Sequence, residues 1–79
     1  MSGKKLKLLD QINTQIESIR QAIGSNQLEG ANHRISELED QLKEYYRSRL
    51  LTGAELRALM DRLRTLREKI YLKKDFSVD

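Results

Sequence analysis

Apolar residues that step alternately three and four positions divide this chain of 79 residues into three ladders. The first is Leu9, Ile12, Ile16, Ile19 and Ile23; the second Leu28, Ala31, Ile35, Leu38, Leu42 and Tyr45; the third Leu56, Leu59, Leu63, Leu66 and Ile70. A seven-residue apolar repeat lays one narrow stripe along a helix, and only another helix can cover such a stripe. The chain is therefore expected to be all-α, with three antiparallel helices at about 4–23, 27–50 and 53–72 in a helical bundle or coiled-coil-like assembly. The absence of proline and the abundance of Leu, Glu, Arg, Lys and Gln point the same way.

The helix limits rest on local chemistry. Gly24-Ser25-Asn26 follows the first ladder, offering a glycine for a left-handed C-terminal cap and two N-cap residues, with Glu29 three positions after Asn26 as in a capping box. Thr52-Gly53-Ala54-Glu55 reads as a second capping box, starting the third helix near Gly53. The second ladder loses its stripe at Arg49, so the second helix is expected to end around Arg49 to Leu51. Lys73 takes the seam position after Ile70, and Asp75-Phe76-Ser77-Val78-Asp79 has no periodicity. A tail fraying from about 74 is expected unless Phe76 finds a pocket.

Such a length allows a single helical domain spanning 1–79, and a core of this size supplies only about 3 to 5 kcal/mol unless something staples it. With no cysteine there is neither a disulfide nor a thiolate metal site to help. Self-association is expected to make up the difference, with a two-fold homodimer favoured. Lys7 and Asp10 interrupt the apolar run that a secretory signal would need, and glycine stands at position 3 rather than 2, where myristoylation would require it. No apolar run approaches the length of a membrane span, so a cytoplasmic protein without membrane attachment is the expectation.

The formal charge of +3 hides an asymmetry. Residues 1–42 carry five Lys or Arg against six Asp or Glu, whereas residues 43–74 carry ten against four. Arg57 and Arg64 stand seven apart on the third helix, with Arg62, Arg67 and Lys69 flanking its seam. A stripe like this could follow the phosphates of a nucleic acid or meet an acidic partner. No recognition-helix or RNA-binding motif accompanies it, and pairing of these cations with Glu39, Glu37 and Glu17 on neighbouring helices explains them more simply. Nucleic acid is accordingly the second choice of partner.

Catalytic chemistry has little to work with. His33 and Glu37 stand four apart on one helical face but away from the seam, and there is no second histidine to complete a metal site or serve a triad. Glu37, Glu39 and Asp40 cluster on the outer surface, where nothing would raise a carboxyl pKa for acid catalysis. Neither a cofactor nor a metal is expected. Ser36, Asp40, Leu42 and Tyr46 have a spacing that resembles the helix-two signature of the small sporulation aspartyl-phosphate phosphatases, helical hairpins that dephosphorylate a response regulator. The resemblance implies that Asp40 would be the functional carboxylate. It covers about a dozen residues; Glu39 stands where that family has leucine, Lys43 where it has isoleucine, and the third helix is extra.

Apolar residues off the seam say more. Leu6, Leu8, Tyr46, Leu50, Leu51 and Met60 all fall toward one end of the expected bundle, with Tyr71, Leu72 and Phe76 as a smaller group at the other. A surplus that a narrow core cannot cover marks a protein interface. The sequence thus leads to a non-enzymatic protein that works by association with a protein partner, as a regulator, adaptor or small chaperone.

Overall fold

The computed structural model describes the backbone of residues 2–77 and the side chains of residues 3–74. Its three helices are α1 (Ser2–Gly24), α2 (Leu28–Arg47) and α3 (Gly53–Ser77), and no strand occurs among the described residues. Every ladder position turns inward. Ile12, Ile16, Ile19, Ile23, Ala31, Ile35, Leu38, Leu42, Leu59, Leu63, Leu66 and Ile70 are buried, while Leu9, Leu28, Tyr45 and Leu56 are half-buried against them. Each fully buried Ile or Leu contributes about 1.5 to 3 kcal/mol by leaving water, which is why the stripes fix the packing. No polar or charged side chain is buried among the described residues.

Each helix packs against both of the others, giving a slender body of 52 × 18 × 15 Å. Three polar contacts tie α1 to α3 in ascending order along both helices: Lys5 Nζ to Glu55 Oε1 at 2.9 Å, Arg62 Nη1 to Asn13 Oδ1 at 2.6 Å, and Lys73 Nζ to the Ile23 carbonyl at 2.8 Å. Lys73 interrupts the third ladder, and its stem carries the ammonium out of the seam to the C-terminal end of α1, where a cation is favoured.

The first turn departs from expectation. Gly24 keeps a negative φ, and Asn26 instead takes the left-handed conformation with φ 65°. The Gln27 N–H donates to the Ala22 carbonyl at 2.9 Å and the Asn26 N–H to that of Ile23 at 3.0 Å, the paired bonds of a Schellman motif. Asn26 therefore ends α1 and does not cap α2, whose N-cap is Gln27 without a side-chain bond. Asparagine tolerates this conformation because its short amide can satisfy nearby backbone.

The same motif closes α2, with the Leu50 N–H on the Tyr45 carbonyl at 2.8 Å and the Arg49 N–H on that of Tyr46 at 3.0 Å. Arg49 holds φ 63°, where an ordinary side chain costs about 1 kcal/mol. The helix thus stops at Arg47, three residues before the expected 50. The physical reason is Leu51, which is 3% exposed: to reach the core it must leave the helical path.

At the start of α3 the capping box forms as read. The Glu55 N–H donates to Thr52 Oγ1 at 3.1 Å and the Thr52 N–H to Glu55 Oε1 at 2.9 Å. The other end of α3 differs from expectation, since the helix does not stop near 72 and its backbone continues to Ser77. The expected fraying from about 74 thus falls partly on helical backbone; the side chain of Phe76, and Val78 and Asp79 altogether, lie outside the described residues. No described helix is long and apolar enough to cross a membrane.

Candidate functional site

The surplus apolar residues separate on folding. Leu51 joins the core and is unavailable to any partner, which removes it from the expected interface. Leu8 and Met60 are half-buried against the core, whereas Leu6, Tyr46 and Leu50 remain 64%, 48% and 50% exposed. Tyr46 lies along the start of α3, its Cε1 being 3.8 Å from where a Cβ would stand on Gly53. At the opposite group, Tyr71 and Leu72 are also exposed.

Between the first turns of α1 and the α2–α3 turn runs an open groove of about 530 Å³, lined by Lys4, Lys5, Lys7, Leu8, Gln11, Arg49 and Leu50. Among the described residues that line it, Leu8 and Leu50 are the apolar ones and the charged ones are all cations. Lys5 is tied to Glu55 at 2.9 Å, while Lys4, Lys7 and Arg49 form no ion pair among the described residues. The Thr52 backbone N–H first, and Lys5 second, hold the Glu55 carboxyl below the usual carboxylate range. Sequence reasoning found Leu8 and Leu50 but missed Lys4, Lys5, Lys7, Gln11 and Arg49. The available signal was the Lys4-Lys5-Leu6-Lys7-Leu8 run, in which cations alternate with leucines off the seam.

The arginine stripe of α3 is largely engaged within the protein. Arg67 is its most committed member: Nη1 and Nη2 reach the two Glu39 carboxylate oxygens at 3.1 and 3.0 Å, Nη2 also donates to Ser36 Oγ at 3.2 Å, and Nε to Asn32 Oδ1 at 3.3 Å. Arg62 holds Asn13, and Arg64 approaches Glu68 on its own helix at 3.9 Å. Arg57 and Lys69 are exposed. Of the three expected carboxylate partners, Glu39 meets α3, but Glu17 pairs with Arg20 and Glu37 with His33, each on its own helix.

His33 Nε2 stands 3.4 Å from Glu37 with both side chains well exposed, and no group of three or more potential metal ligands gathers among the described residues. Asp40 is exposed on α2, and the Ser36 hydroxyl accepts its bond from Arg67. The described residues form three helices and, at one end, a basic-rimmed groove with Leu8 and Leu50 in its lining. Comparison with protein-family models, with curated proteins and with solved structures finds no match to this chain. The likeness to the sporulation phosphatases stays confined to the short stretch around Ser36 and Asp40.

Proposed function

We propose that this chain acts without catalysis, by association with a protein partner in the cytoplasm, as a regulator, adaptor or small chaperone. The observation that carries the reading is the groove, where Leu8 and the half-exposed Leu50 lie beside Lys4, Lys7 and Arg49, which form no ion pair among the described residues. Exposed leucine beside unpaired charge adds nothing to the fold, and a partner would cover both. The helices are proposed to run up, down and up, a topology supported by the ascending contacts between α1 and α3. A two-fold dimer belongs to the same proposal, with Tyr71 and Leu72 offering apolar surface for it away from the groove.

The test compares wild type with Leu50→Glu and Tyr46→Glu as bait on native extract, with helix content and melting temperature measured in parallel. A protein retained by wild type and released by a variant of unchanged melting temperature is the expected result. Equal retention by all three would refute association through this end. Nucleic acid is the lesser reading because Arg62, Arg64 and Arg67 already have partners within the protein.

A further inference from the structure

Building on the protein-association reading, we propose that the groove receives an acidic amphipathic helix of another protein, with leucine-like side chains on Leu8 and Leu50 and carboxylates toward Lys4, Lys7 and Arg49. Charge complementarity selects this occupant. Among the described residues the groove's lining carries no acidic side chain, so a neutral or basic segment would leave Lys4, Lys7 and Arg49 without partners in a contact that removes water. A second copy bound groove to groove would oppose like charges across the two-fold axis. The outer face of α2, where His33, Glu37, Asp40 and Glu44 are exposed, has carboxylates but no apolar anchor to fill the groove. Nucleic acid would find two leucines where stacking rings are wanted.

Two local features of the groove work against folding, and that independently marks it. Lys4 and Lys5 lie in the first turn of α1, which has no acidic residue, so two cations meet the positive end of the helix dipole, and of these only Lys5 has a carboxylate, that of Glu55, beside it among the described residues. Arg49 holds a left-handed backbone that glycine would adopt without strain. Positions where a chain breaks the rules of its own stability are where binding is to be sought. Arg49 lines the groove at such a position.

The experiment selects randomised displayed peptides of about 16 residues, or about four helical turns, on the full chain. Expected are peptides carrying Asp or Glu beside Leu, Phe or Met at three- and four-residue spacing. Their affinity should fall about tenfold or more with Leu50→Glu and with Lys4→Glu combined with Lys7→Glu. Arg49→Gly gives the sharpest reading: it should weaken binding several-fold while raising the melting temperature by a few degrees. A variant that folds better and binds worse cannot be explained by damage to the fold. Neutral or basic peptides lost on Leu50→Glu would keep the association reading and overturn the acidic helix. Enriched peptides indifferent to every groove variant would overturn both. Groove-dependent sedimentation with phosphatidylserine vesicles and no peptide enrichment would give the site to a membrane surface, and conversion of a dimer to monomer by Leu50→Glu would give it to a second copy; either result overturns the proposal.

Discussion

Replacing Arg67 with alanine should destabilise this protein by about 2 kcal/mol, although the side chain lies near the surface. Its guanidinium makes four bonds to α2, two of them forked onto Glu39, with the two side chains 29% and 23% exposed. A buried set of this kind would contribute about 1 kcal/mol per bond, but partial hydration reduces the total to roughly half. Glu39→Ala removes only the fork and leaves Asn32 and Ser36 in place, so it should cost about 1 kcal/mol, and the double-mutant cycle should return a coupling near 1 kcal/mol. Urea unfolding followed by circular dichroism at fixed protein concentration measures all four corners, and heating should show the Arg67→Ala transition roughly 8 to 16 °C lower. In 1 M salt, where screening acts over about 3 Å, the coupling should fall but persist. A coupling below about 0.3 kcal/mol, or a loss for Arg67→Ala within the roughly 0.5 kcal/mol of an ordinary surface change, would show that this arginine does not clamp α3 to α2 and would return it to the pool of cations available to a ligand.

Leu63→Ala at a fully buried seam position should cost about 2 to 5 kcal/mol in the same urea experiment, whereas Leu6→Ser should stay within about 0.5 kcal/mol; a large loss at Leu6 would mean that a second copy covers it. Thr52→Ala should cost about 1 kcal/mol by removing the acceptor for the Glu55 N–H. Because the folded state lowers the Glu55 pKa from its ordinary value of 4.5, the stabilisation from its bonds is present above that value and lost as pH falls through the depressed one. Comparing Glu55→Gln with wild type from pH 7 to pH 3 should show their stabilities converging on the acid side, and parallel curves would contradict the assignment. Amide exchange should be at least about tenfold faster at residues 6–11 than at 16–23, since the buried part of α1 begins at Ile12; equal protection would deny that the groove end is the less stable one.

The ladders were legible because a stripe of period three and four has only one use in a helical chain, and all their members went to the core or its margin. The Thr52–Glu55 box was legible because its two bonds join residues three apart. Turn conformations were less so. Gly24 looked like the left-handed residue, but the Schellman bonds fall two positions later, and Asn26 can adopt what they require. Arg49 carries no local sign of a left-handed backbone; the demand comes from burying Leu51, a tertiary fact. The groove was half legible for the same reason. Leu8 and Leu50 stood out as surplus, but Lys4, Lys7 and Arg49 lie on opposite sides of α2 in sequence and meet only once the helices pack.

Departures from local rules occur at both ends of the molecule, Gln27 being an N-cap without a side-chain bond at one of them, but at the other they gather on residues that line a single groove, and this directs attention there rather than to the arginines of α3. At one end Asn26 suits its conformation and Lys73 places a cation on the closing carbonyls of α1. At the other, lysines oppose a helix dipole, an arginine occupies a glycine's backbone, and Leu50 stays half in water. The core from Ile12 to Ile70 supplies the stability that lets these departures persist. Arginines that hold their neighbours are accounted for by the fold; cations and leucines that cost the fold something require another reason, and a complementary acidic helix supplies one that accounts for both together.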